Sequence, residues 1–142
     1  SFTSFKNKVM VEPNQNNNAR IIVVQKLYGY FLNKDSKISF PKHRYKKFIK
    51  DTVTGTLERE ELLLENLKMI LKDEFNPSRT DLILKLMILS ATFELMFNHR
   101  TPIKVVVSEY IKISDFFLEN AHKSYLNAIL DKISKNVRKD SD

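Results

Sequence analysis

The chain has 142 residues, a formal net charge of +7 and no cysteine, and it contains only two glycines and four prolines. This length favours one domain, and the lack of cysteine excludes disulfides and thiolate metal sites. So few turn-forming residues argue against a many-stranded sheet with tight hairpins, while the positive charge favours a polyanionic partner.

The N-terminal half predicts three helices. Apolar residues recur at helical spacing from Ala19 to Phe31, with Asn18 or a neighbour as the N-cap. The polar residues before it predict a mobile arm over residues 1–15. Pro41 is expected to open a second helix, PKHRYKKFIKDTV, and REELLLENLKMILKDEF forms a third, with Gly55 at or near the junction.

The C-terminal half predicts three more helices. In NPSRTD, Ser78 and Asp81 resemble a capping box before the fourth helix, which runs to about Phe97. Thr101 is expected to N-cap a fifth helix with Pro102 at its first position, and Asn120 to cap a sixth. The sequence thus predicts an all-α fold with packed apolar faces, one domain over residues 16–138 and a frayed tail over residues 139–142.

A membrane span is not expected. The most apolar stretch, LILKLMILSATFELMF, is interrupted by Lys85 and Glu94 and is typical of a buried helix. Nothing resembles a signal peptide.

Residues that could carry catalysis are not arranged for it. The three histidines have no partners at metal-ligand spacing, and the glutamates of the third helix are typical of a solvated helix face. Two glycines cannot build a phosphate-binding loop. We therefore expect no enzyme, catalytic residue, metal or cofactor.

A cluster of basic residues surrounds Tyr45 in the motif KHRYKK. Lysine and arginine neutralise phosphates, and an interleaved aromatic ring can stack on an unpaired base. The motif predicts RNA contact by Lys42, Arg44, Lys46 and Lys47. The alternative is a charged loop and helix face with no binding role.

Four motifs follow one another along the chain: ARIIVVQKLYGYF, then Phe48 with Val53 and Gly55, then FELMFNHRTPIKVVVSEYI, then HKSYLNAILDK. In this order they resemble the NusB family of bacterial transcription antitermination factors. The family's corresponding motifs are AREIALQALYxxE, F-x4-V-x-G, YEL followed by a proline and KVxINExI, and FVNGVLDK. The resemblance covers roughly residues 17–136.

This resemblance implies a fold and a function. The fold is six or seven helices in two packed three-helix bundles. The function is non-enzymatic and cytoplasmic: binding the boxA element of ribosomal RNA transcripts together with the ribosomal protein NusE, in the RNA polymerase elongation complex. The NusE surface is expected on the fourth to sixth helices, and the protein is expected to be a monomer or a homodimer.

The family's RNA-contacting positions are only partly retained. Residues 16–18 are asparagines where the family has an arginine-rich motif, so three cationic contacts are missing, and Lys6, Lys8 and KHRYKK are candidate substitutes. The resemblance assigns RNA contacts to Arg20, Tyr28, Lys123 and Tyr125. Core packing is the alternative for both tyrosines.

Other positions of the resemblance predict structural roles. Asn127 and Asp131 are expected to hold neighbouring helix ends, and Glu94 and Glu109 to do the same or to face a partner.

Two further functions remain open from the sequence. One is a protein-interaction module of the same fold that has lost specific RNA binding. The other is the RNA-binding N-terminal domain of an RNA methyltransferase, in which case a cofactor-binding half would lie beyond this chain.

Overall fold

The computed structural model of the protein describes residues 18–138. Within this range there are six α-helices and no strand, so the predicted all-α class is confirmed. The helices are α1 Ala19–Leu32, α2 Lys46–Glu58, α3 Glu60–Leu71, α4 Leu82–Phe97, α5 Ile103–Phe117 and α6 Asn120–Val137. Two short 3₁₀ turns, Lys72–Glu74 and Pro77–Arg79, lie between α3 and α4.

Helix α4 is the centre of the fold. It is apolar around most of its circumference and contacts each of the other five helices, as expected for a helix buried on all sides. Helices α1 and α2 pack with α4 as one three-helix bundle, while α3 and α5 pack against α6 in the second. This agrees with the predicted pair of bundles.

The first helix starts as predicted, but the second does not. Asn18 Oδ1 accepts hydrogen bonds from the backbone N–H groups of Arg20 and Ile21 at 2.9 and 3.2 Å, which satisfies two orphan donors. The prediction that Pro41 opens α2 is wrong. The ring of His43 accepts the N–H of Tyr45 and its carbonyl accepts that of Lys46, and this turn delays the helix to Lys46.

The end of α3 and the start of α4 also differ from the prediction. Helix α3 stops at Leu71, because Lys72 has a φ of 51° that no α-helix accommodates. Ser78 and Asp81 do not form one capping box. Asn76 caps the short turn that contains Ser78, and Asp81 alone caps α4 through the N–H of Leu84.

Three smaller boundary predictions need correction. Gly55 lies inside α2, under the ring of Phe93, rather than at a junction. Pro102 is the N-cap of α5 rather than its first residue, and Asn120 is the first residue of α6 rather than its cap.

Other predictions fall outside the described residues. These are the mobile arm over residues 1–15, the tail over residues 139–142, and any role for Asn16, Asn17, Lys6 or Lys8. Among residues 18–138, no helix is both long and apolar enough to cross a membrane.

Candidate nucleic-acid interface

A cleft opens where the N-terminus of α1 meets α2 and α5, and we call it the α1 cleft. Its volume is about 540 Å³, within the range of small-ligand sites. Both polar and aromatic side chains line it. The lining residues are Asn18, Ala19, Arg20, Tyr45, Phe48, Thr101, Val105 and Glu109.

Arg20 forms the floor of the α1 cleft and is held by a buried carboxylate. Its Nη2 and Nε donate to Glu94 Oε1 and Oε2 at 2.6 and 3.0 Å, and Glu94 is completely buried. The Arg20 side chain is 12% exposed and lies over the ring of Phe48 at 4.8 Å. This bidentate pair joins α1 to α4, so Glu94 takes the structural role, which was one of the two alternatives predicted for it.

Tyr110 completes the buried network. Its hydroxyl donates to Glu94 Oε2 at 2.7 Å. Burial and then the Glu94 charge raise the pKa of Tyr110 well above its ordinary value. Burial alone would lower the pKa of Arg20, but the hydrogen bond and charge of Glu94 outweigh it and raise that pKa. At neutral pH the network therefore holds a protonated arginine and a neutral tyrosine.

Beside the α1 cleft lies a cationic group that we call the Tyr45 surface, formed by Lys42, Arg44, Tyr45, Lys46 and Lys47. All five side chains are exposed. The guanidinium of Arg44 lies 5.1 Å from the centre of the Tyr45 ring, and Lys47 pairs with Asp51 one turn later at 2.7 Å. The structure thus brings the predicted KHRYKK residues together on the surface.

A second cleft continues from the first. It has a volume of about 560 Å³ and shares Phe48 and Thr101 with the α1 cleft. Lys47 and Arg100 contribute its cations, and the exposed ring of Phe97 forms part of its wall. The two clefts and the Tyr45 surface form one continuous face at the ends of α1, α2 and α4.

Lys123 and Tyr125 lie elsewhere, on α6. Lys123 pairs with Asp115 at 2.9 Å. The Tyr125 hydroxyl donates to the backbone carbonyl of Glu74 at 2.6 Å, and burial followed by the charge of Glu74 raises the pKa of Tyr125. The structure therefore separates these two predicted residues from the Tyr45 surface.

Tyr28 belongs to the interior. It is 4% exposed and is part of the hydrophobic core, as the packing alternative for this residue expected. Its assignment to RNA contact stays a prediction, as does that of Arg20, whose charge already has two carboxylate partners.

Sequence reasoning did not find several of the residues that shape this face. Arg20 and Glu94 are 74 positions apart, and no local pattern reports that they meet. Glu109 was singled out only as a structural or partner-facing residue, and Phe97 and Arg100 not at all. Within the described chain, no group of three or more metal-ligating side chains converges.

A comparison with models of known protein families shows which family this chain belongs to. The model of the NusB family matches residues 17–135, which is most of the chain. The chain belongs to the NusB family. The resemblance drawn from the sequence motifs is thereby confirmed.

Individual relatives agree with the NusB assignment. The transcription antitermination protein NusB of Mesorhizobium japonicum is 33% identical over 86 residues, in a match spanning 61% of this chain and 56% of that relative. The protein of the same name from Sinorhizobium fredii is 28% identical over 144 residues, covering 89% and 90%. These names describe a transcription factor and not an enzyme.

A solved structure shows the same fold. NusB from T. maritima superposes with a TM-score of 0.74 at 21% identity, covering 84% of this chain and 90% of that one. At this identity the likeness concerns the arrangement of helices alone.

Proposed function

We propose that this protein is a cytoplasmic transcription antitermination factor that binds single-stranded RNA of the boxA type together with NusE. Family membership and the names of the relatives support the general function. The observation that carries the RNA-binding part is the Tyr45 surface, where exposed cations surround an exposed aromatic ring beside a cleft.

The chemistry of the Tyr45 surface suits an unpaired strand. Lys42, Arg44 and Lys46 neutralise phosphates, and Tyr45 offers a ring on which a base can stack. Helix α2 has no side-chain cap and no acidic residue in its first turn, so its N-terminal amides add positive potential. Lys47 contributes less, since Asp51 already pairs with it.

The remaining predicted residues take supporting or separate roles in this proposal. Arg20 and Tyr28 hold α1 against the core and so position the floor of the cleft. Lys123 and Tyr125 form a smaller second contact on α6. Residues 16–138 act as one RNA-binding domain.

The partner surface is proposed on α4–α6. A cleft of about 590 Å³ lies between α5 and α6, with apolar residues such as Ile103, Val107 and Ile111 beside Lys104 and Asp131. This mixed lining suits a protein partner better than RNA, because the core of a protein interface is apolar and poor in charge, whereas RNA is held mainly by cations. Through NusE the complex would join the RNA polymerase elongation complex.

Fluorescence anisotropy of a boxA-like RNA and a scrambled RNA, with and without NusE, tests the proposal. We expect tighter binding to the boxA-like RNA and a further gain when NusE is added. Equal weak binding to both RNAs despite a stable NusE complex would refute it and leave a protein-interaction module.

A further inference from the structure

The interior of the α1 cleft differs in charge from the Tyr45 surface beside it. Its one cation, Arg20, faces two carboxylates, since Glu94 binds it at 2.6 Å and Glu109 Oε1 lies 3.7 Å from its Nη1. The inside of the cleft is therefore not a phosphate site. A phosphate there would meet a neutralised guanidinium and an additional negative charge.

Glu109 is the polar group of the α1 cleft with unused bonding capacity. Its side chain is 31% exposed, it lines the cleft, and among residues 18–138 it makes that ion pair and no hydrogen bond. A carboxylate only accepts hydrogen bonds. It therefore selects a ligand edge that presents N–H donors.

The remaining lining suits a flat ring. Tyr45 and Phe48 supply aromatic surface, Val105 supplies apolar surface, and the volume of about 540 Å³ accommodates a purine with its sugar. The side chains of Asn18 and Thr101 add polar groups at the rim. Proteins hold unpaired bases by stacking them on aromatic rings and by hydrogen-bonding their edges, and the α1 cleft offers both kinds of contact.

Guanine fits this donor requirement better than the other bases. Its Watson–Crick edge places the N1–H and N2–H groups side by side, so both oxygens of one carboxylate can accept at once. Adenine and cytosine offer one amino group beside an acceptor, and uracil one N–H between two carbonyls. An acceptor facing a carboxylate is repelled, which disfavours these three bases.

We propose that the α1 cleft binds one unpaired guanine of the RNA, with its ring against Tyr45 and its Watson–Crick edge on Glu109. This rests on the proposed RNA-binding function. The neighbouring cations of the Tyr45 surface hold the phosphates on either side. The site gives the protein a base preference that the cationic surface alone cannot supply.

The test compares four 12-nucleotide RNAs, oligouridine with a single central G, A or C and oligouridine itself, by fluorescence anisotropy at fixed salt. We expect the guanine-containing RNA to bind about tenfold more tightly, within the range of one bidentate base contact. Glu109→Asp keeps the charge but withdraws the carboxylate by one methylene, and should reduce the preference to less than twofold.

Controls separate the base contact from other effects. Glu61→Asp makes the same change at an exposed site on α3 and should leave the preference intact. Circular dichroism melting checks that each variant folds. If Glu109→Asp does not fold, Glu109→Gln replaces it. A glutamine amide has only one acceptor oxygen, and its NH₂ group would face one of the two guanine N–H donors, so it should lose the preference as well.

Each alternative result has a distinct meaning. Salt-dependent RNA binding without guanine preference, or a preference that survives the change at Glu109, would overturn this inference and leave the proposed function intact. No RNA binding at all would overturn both. Binding of an arginine-rich peptide that depends on Glu109, without guanine preference, would assign the cleft to a protein ligand.

Discussion

Replacing Glu94 by glutamine tests the buried network under the α1 cleft. The carboxylate accepts three hydrogen bonds, two from Arg20 at 2.6 and 3.0 Å and one from Tyr110 at 2.7 Å. A glutamine of the same shape has only one acceptor oxygen. Its NH₂ group would face a donor, and the mostly buried Arg20 charge would keep only the more distant carboxylate of Glu109, at 3.7 Å.

The expected cost follows from this geometry. Removing one partner of a buried ion pair destabilises a protein by about 3–5 kcal/mol. With an m-value of about 2 kcal/mol/M, the urea midpoint should fall by roughly 1.5–2.5 M. Urea unfolding followed by circular dichroism at pH 7 measures this shift directly.

A double-mutant cycle assigns the cost to the pair. Arg20→Met alone leaves Glu94 without its cation, and the double variant Arg20→Met/Glu94→Gln removes both charges together. We expect the double variant to be about 2–3 kcal/mol more stable than the sum of the two single changes predicts. Additive effects, within about 0.5 kcal/mol, would refute the reasoning that these side chains depend on each other.

The same Arg20→Met variant tests the role of Arg20 in RNA binding. Because the Arg20 charge is already shared with Glu94 and Glu109, we expect the slope of log affinity against log salt to stay unchanged. A direct phosphate contact would instead flatten that slope by about 0.7.

Four further substitutions test other parts of the structure. Gly55→Ala should destabilise by about 1–3 kcal/mol, because its Cβ would lie 2.2 Å from the ring of Phe93. In Gly29→Ala the added Cβ would meet no atom within 4 Å outside its own helix, so the change should stabilise by about 0.5–1 kcal/mol. Urea unfolding that gave the two alanine variants the same change in stability would contradict this difference. Lys72→Gly should stabilise by about 1 kcal/mol, because glycine adopts the φ of 51° and ψ of −121° at this position without the strain that a lysine has there. A lower stability of this variant in thermal unfolding would show that the turn is not strained. Tyr110 keeps its proton in the folded state to higher pH than in the unfolded state, so its stability contribution is full below about pH 10 and falls above it by up to about 1.4 kcal/mol per pH unit. The variant Tyr110→Phe should lack this pH-dependent loss of stability. If the urea midpoints of the wild type and this variant differed by the same amount at pH 9 and pH 11, the raised pKa would not belong to Tyr110.

Local sequence signals predicted the helices well where side-chain chemistry acts over a few residues. Asn18 caps α1, and the apolar run of α4 is buried as expected. The sequence predicts that α2 starts at Pro41. In the structure the His43 ring accepts the backbone N–H of Tyr45, which forms a turn in place of the first helical residues. The end of α3 depends on the positive φ of Lys72, and the residue type does not predict this angle.

The candidate site was predictable only in part. KHRYKK is a contiguous motif, so its charge and aromatic ring could be read directly. The α1 cleft needs Tyr45 from one segment and Glu109 from another, and such non-local contacts follow from packing rather than from spacing. For the same reason, the burial of Tyr28 and the pairing of Arg20 with Glu94 emerged only from the folded chain.

The salt dependence of RNA binding tests most directly the claim that the Tyr45 surface binds single-stranded RNA. The test variant carries Lys42→Gln, Arg44→Gln and Lys46→Gln. The matched control removes the same charge at exposed lysines elsewhere, Lys68, Lys112 and Lys135. For a boxA-like RNA measured without NusE, we predict that the log–log salt slope of the test variant flattens by about 2, at about 0.7 per lost phosphate contact, while the control keeps the wild-type slope. Equal flattening in both variants, or none in either, would contradict the account.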